Sequence, residues 1–111
     1  MTIESTGFQI LEAPEQDGRL RLTLLGELDL VSGEVLERRL EELRRERRSV
    51  VMDLSRLEFM DSTGLRIMIG SLTSAGANGW GFSIDPNVAP QAERLFKMSS
   101  LDQFASMRRR D

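Results

Sequence analysis

The sequence predicts a small α/β domain, a mixed β-sheet packed with amphipathic helices. Three observations lead there. Leu20, Leu22 and Leu24 alternate with Arg19, Arg21 and Thr23, the period of a strand with one buried face. Leu36, Leu40 and Leu43 recur at helical spacing. Residues 49–54 (SVVMDL) form a near-continuous apolar run, which suits a central strand covered on both sides. Strand-like and helix-like stretches then follow in the order β-β-α-β-α-β-α, and 111 residues fit one domain.

Taken in order, residues 7–12 (GFQILE) read as a first strand, and residues 13–18 (APEQDG) as a turn punctuated by Pro14 and Asp17-Gly18. Residues 19–27 make the second strand, antiparallel to the first. Ser32 is expected to cap a helix that runs to about Arg48. The strand at 49–54 leads through a loop into a second helix over 63–76. That helix turns Leu65, Met68, Ile69 and Leu72 inward and ends at Gly76 and Gly79. Trp80, Phe82 and Ile84 alternate in a further strand, stopped by Pro86. Val88, Ala92, Leu95 and Phe96 mark a third helix. Residues 101–107 fit a last strand or a helical turn equally.

Composition excludes several function classes. There is no cysteine, hence no disulfide and no thiolate metal site. There is no histidine, which removes a Ser-His-Asp triad and most zinc chemistry, so an enzyme is not expected. No apolar run is long enough to span a bilayer, and residues 1–20 lack a secretory pattern, so the expected location is cytoplasmic. Net charge is −3, and the arginines at 44, 45, 47 and 48 interleave with Glu41, Glu42 and Glu46. Pairs such as Glu41–Arg45 at i,i+4 describe a solvated helix face rather than a nucleic-acid site. A further arginine run occupies residues 108–110.

Chemistry concentrates in residues 54–65 (LSRLEFMDSTGL), where a buried strand ends and a helix begins. In alternating α/β folds, function collects beyond the carboxyl ends of strands. Ser62 stands where a serine would cap the helix, and free amides there favour an anion, including an attached phosphate. The same residue types also fit a purely structural cap, with Asp61 complementing the helix dipole. Gly64 in the first turn costs roughly 1 kcal/mol against alanine, which suggests close approach of a partner. Phe59 is expected in the core. Met60 fits the core or a contact surface. Gly26-Glu27-Leu28-Asp29 ends the second strand, and its acidic residues either decorate a helix start or border the surface of Ser62.

At these residues the chain resembles the STAS family, in particular the bacterial anti-sigma factor antagonists. The blocks that carry the resemblance are residues 26–30 (GELDL), residues 50–70 with their Asp61-Ser62-Thr63-Gly64 core, and, more weakly, residues 92–101 (AERLFKMSSL). It covers about residues 5–107 of a single STAS-like domain over 1–111. The resemblance implies a regulatory protein without cofactor or metal that touches neither nucleic acid nor membrane, its oligomeric state open. The unphosphorylated antagonist would bind an anti-sigma factor that is also a serine kinase and so release a sigma factor. The kinase would phosphorylate Ser62, and a serine phosphatase would reverse this. Asp29 matches a position that contacts the kinase, and Met60, Asp61, Thr63, Gly64 and Arg66 are expected around the same partner surface. Two positions depart from the family pattern: Ser100 replaces a common glycine, and Arg66 a common small residue. Other members of the family act without such a switch, as scaffold or lipid-transport subunits, and this is the alternative.

Overall fold

A computed structural model describes residues 2–5 and 7–99. The chain runs β1 (Thr2–Ser5), β2 (Phe8–Pro14), β3 (Leu20–Leu28), α1 (Leu30–Arg45), β4 (Val50–Asp53), β5 (Leu57–Met60), α2 (Ser62–Asn78), β6 (Phe82–Ile84) and α3 (Pro90–Met98). The mixed sheet and helices are those the patterning predicts, with two short strands, β1 and β5, added. Residues 100–107, including Ser100 and the undecided segment, and the arginines at 108–110 lie outside the described residues.

The sheet has the order β1-β2-β3-β4-β6, with β5 also paired to β3. Strands β1, β2 and β3 are antiparallel neighbours, so they need only short turns. The links β3–β4 and β4–β6 are parallel, and α1 and α2 serve as their crossovers. Because β2 covers one edge of β3 along its length, β4 and β5 follow one another along the other edge. Val50 and Val51 therefore lie inside the sheet, as their apolar run predicts, between β3 and β6.

Leu22, Leu24, Leu28 and Met52 from the sheet, and Leu54 just after β4, meet Leu36 and Leu43 of α1 and Met68 and Leu72 of α2 in one core. Ion pairs tie the rim. Arg39 of α1 holds Glu12 of β2 at 2.6 Å, and Arg21 bridges Glu15, Asp53 and Asp85 at 2.8–3.1 Å. Glu41 pairs with Arg44 and Arg45, so the arginine cluster is in part a solvated helix face, as its spacing indicates.

Several boundaries differ from expectation. Ala13 and Pro14 continue β2, because Pro14 sits at the end of its ladder opposite Leu20, where a missing N–H is tolerated. Gly26 has φ +90, and a Cβ there would collide with the Gly7 carbonyl; the β1–β2 turn packs against it. The cap of α1 is Asp29, not Ser32: the Asp29 carboxylate accepts from the amides of Val31 and Ser32 at 3.1 Å. Ser32 sits at the third helical position and returns the bond, its Oγ accepting from the Asp29 amide at 2.9 Å. Helix α2 runs through Gly76 and stops at Gly79 (φ 71), which takes the left-handed cap conformation.

Candidate functional site

Strands β3 and β5 are parallel neighbours, with Leu28 opposite Met60. Each is followed by one aspartate and then a helix. The register therefore launches α1 and α2 side by side from the same sheet end, and the Asp61 amide donates to the Leu28 carbonyl at 3.2 Å. The starts of the helices touch closely: a Cβ on Gly33 of α1 would lie 2.9 Å from the Thr63 methyl.

Ser62 is exposed at the first position of α2. The cap itself is Asp61, whose carboxylate accepts from the Thr63 amide at 2.8 Å. This corrects the assignment of Ser62 as the cap. With the cap supplied by its neighbour, the Ser62 side chain is not needed to close the helix. Asp29 plays the same capping part for α1, and the Ser32 amide and hydroxyl hold its carboxyl below the ordinary value of 3.8.

Two residues expected at the partner surface lie beneath it instead. Met60 is 1% exposed. Gly64 is buried, and a Cβ there would run into the Met60 side chain and come within 2.8 Å of Leu28 Cδ2. The close approach that Gly64 permits is thus to its own chain. Phe59, expected in the core, is 42% exposed. A register shift between Gly26 and Glu27 leaves Glu58 without an opposite residue, which breaks the simple alternation and turns both Glu58 and Phe59 outward. Thr63 is half-buried against Gly33. Arg66 is exposed and reaches across to Glu37 of α1 at 3.3 Å.

The structure adds exposed apolar residues that were not singled out from the sequence. Leu30 and Val31 in the first turn of α1 are 67% and 69% exposed. Their signal was present: both fall off the stripe formed by Leu36, Leu40 and Leu43, so they cannot join the core. With Phe59 they place exposed apolar side chains at the end of the sheet that carries Ser62. Glu27, Asp29, Glu58 and Asp61 give this end an acidic character. Large apolar groups exposed beside polar ones are typical of a protein-binding surface.

Between α1 and α2 runs a groove of about 200 Å³, lined in part by Leu40, Ile67 and Trp80 with Glu37, Arg44 and Arg66 at its sides. It is smaller than the roughly 300 Å³ at which small-molecule pockets begin. Among the described residues no group of three or more acidic side chains is placed to hold a metal ion, and no helix is long and apolar enough to cross a membrane.

A mixed sheet with α1 and α2 starting together beside an exposed serine defines a small α/β domain with one distinctive sheet end. Residues 11–109 match the family model described as Mlab, STAS domain, and the chain belongs to the STAS family. It is 31% identical over 93 residues to the anti-sigma F factor antagonist of Paenibacillus polymyxa, covering 82% of this chain and 79% of that one. It is 24% identical over 91 residues to the anti-sigma-B factor antagonist of Bacillus subtilis (strain 168), covering 82% and 83%. The crystal structure of an anti-sigma factor antagonist from Mycobacterium paratuberculosis superposes with a TM-score of 0.73 at 26% identity, over 86% of this chain and 80% of the other. The fold is also that of the anti-sigma factor antagonist SpoIIAA in its unphosphorylated form, with a TM-score of 0.64 at 18% identity over 86% and 97% of the two chains.

Proposed function

We propose that this chain is an anti-sigma factor antagonist of the cytoplasm, a binding protein and not an enzyme, switched by phosphorylation of Ser62. Its partner in this reading is an anti-sigma factor with serine kinase activity, and a serine phosphatase resets it. The observation that carries the reading is the placement of Ser62: exposed, released from capping by Asp61, and on the same end as Leu30, Val31 and Phe59. The relatives named anti-sigma factor antagonists support it.

The chemistry follows from that placement. The Ser62 hydroxyl attacks the γ-phosphorus of ATP, its proton passes to a base of the kinase, and ADP leaves. The product adds about −1.5 to −2 charges next to Asp61. In water the free amides of α2 partly compensate. Under a bound partner the phosphate loses solvent and faces the neighbouring carboxylates, so association is opposed without any change of fold. A penalty of about 3 kcal/mol lowers affinity more than roughly a hundredfold.

The test is a set of variants measured for kinase labelling and for affinity toward the anti-sigma factor. Ser62→Ala abolishes labelling and keeps binding. Ser62→Asp weakens binding strongly. Thr63→Ala remains labelled, since Thr63 packs against Gly33. Label that persists on Ser62→Ala and vanishes from Thr63→Ala moves the acceptor by one residue. Unchanged affinity of Ser62→Asp discards the repulsion mechanism.

The resemblance to the STAS family implies a second reading, an unswitched scaffold or a subunit of a lipid-transport complex. In that case no kinase labels the wild type, and stable co-purification with transport subunits replaces regulated binding.

A further inference from the structure

Among the described residues strand β5 has one sheet neighbour, β3, so the backbone of its last residue should be orphaned. Successive residues of a strand aim their N–H and C=O groups to opposite sides. The Asp61 amide points to β3, where it meets Leu28, so the polar groups of Met60 point away from the sheet. Among the described residues no strand runs there. Instead Gln91 of α3 supplies both missing partners. Its Oε1 accepts from the Met60 amide at 2.8 Å, and its Nε2 donates to the Met60 carbonyl at 3.0 Å. One side-chain amide thus imitates the edge of a neighbouring strand.

The placement of Gln91 is itself fixed. The Ala89 amide, at the cap of α3, donates to the Leu54 carbonyl at 3.2 Å and anchors the helix to the end of β4. Ala92 and Phe96 bury the adjoining face of α3 in the core. Gln91 extends from this anchored turn. On its other side, the Met60 side chain fills the space that Gly64 leaves in the first turn of α2. Gln91, Met60 and Gly64 form a continuous line that ends in the first turn of α2, which carries Ser62.

We infer that Gln91 is a positioning residue for the acceptor segment: by clamping the backbone of Met60 it sets where Ser62 is presented to the kinase. This rests on the reading of Ser62 as acceptor, although the clamp can be tested without it. A side chain that fixes the reacting hydroxyl acts on turnover, whereas the contact area of Leu30 and Val31 is untouched by its loss.

Two variants separate the parts. Gln91→Glu keeps length and replaces the donor by a carboxylate oxygen facing the Met60 carbonyl. Gln91→Leu removes both bonds. Hydrogen exchange of the intact proteins reads the clamp directly. Loss of one net hydrogen bond accelerates opening by up to about tenfold. We expect that acceleration at the amides of Met60 and of the first turn of α2, with the amides of Leu22 and Met52 in the central strands unchanged. Steady-state labelling by the kinase then reads positioning. We expect kcat for Ser62 to fall several-fold while KM stays within about twofold in both variants.

Unchanged exchange at Met60 overturns the clamp. Faster exchange with unchanged kcat shows that the clamp is structural only and overturns the positioning role. A fall in protection throughout the sheet overturns it as well, because Gln91 would then support the whole fold. A wild type that no kinase labels sinks the acceptor reading and the positioning role with it, and the exchange result still stands as a separate measure of the clamp.

Discussion

Gly64→Ala sets two physical effects against each other. Helix propensity favours alanine by roughly 1 kcal/mol within a helix. Packing opposes it. The new methyl would collide with the Met60 side chain and approach Leu28 Cδ2 to 2.8 Å and Met60 Sδ to 2.9 Å. These are the far ends of flexible side chains, but both residues are almost wholly buried, so their movement displaces other core groups. Overpacking of this kind costs about 1–3 kcal/mol. The difference is a net loss of about 1 kcal/mol. With a urea dependence of about 1–3 kcal/mol per molar, the unfolding midpoint should drop by roughly 0.3–1 M. Met60 must also shift, so labelling of Ser62 should slow. A midpoint equal to or above that of the wild type would refute the packing argument and leave propensity as the larger effect.

Asp61→Ala should lower stability by about 1 kcal/mol through loss of the cap on Thr63, while Asp61→Asn, which keeps the acceptor, should lose less than half as much; equal losses in urea melts would dismiss the cap. Burial raises the pKa of Asp53, but bonds from Ser55 and Arg21 outweigh this and hold its carboxyl below the ordinary 3.8. Its contribution to stability is therefore full above pH 3.8 and is lost as pH falls through the lower folded-state value. Asp53→Asn should make the acid limb of urea midpoints shallower, and an unaltered limb would exclude Asp53 as a source. Arg66→Ala should change the stability of the unphosphorylated protein by less than about 0.5 kcal/mol, because its pair with Glu37 is exposed. After phosphorylation the same variant should melt lower than the phosphorylated wild type, since Arg66 lies one helical turn from Ser62; identical melting of the two phosphorylated proteins would rule out a charge interaction there.

Much of the architecture was legible because it rests on local periodicity. The alternation of Leu20, Leu22 and Leu24, the stripe of Leu36, Leu40 and Leu43, and the apolar run through Val50 and Val51 each describe how one segment meets a core. Ser62 was legible as a candidate because a short polar residue beyond a buried strand and before a helical pattern has few roles. The capping roles of Asp29 and Asp61 were misassigned because Ser, Thr and Asp are near equals at such positions, and only the backbone conformation of each residue chooses among them. Strands β1 (TIES) and β5 (LEFM) escaped notice because, unlike the similarly short β4 and β6, neither shows a continuous apolar run or a clean alternation; β5 buries only its two ends.

The sequence by itself determined the alternation of elements, the faces they bury and the place where a helix begins at an exposed serine. Those are properties of neighbours along the chain. Tertiary structure alone decided that Met60 and Gly64 lie under the surface and Phe59 on it, because a register shift between β3 and β5 sets which residues of β5 face the core. It alone brought Asp29 beside Asp61, through parallel pairing across 32 residues of chain, and Gln91 to Met60 across 31. Such contacts depend on which strand lies next to which, and no local period encodes that choice.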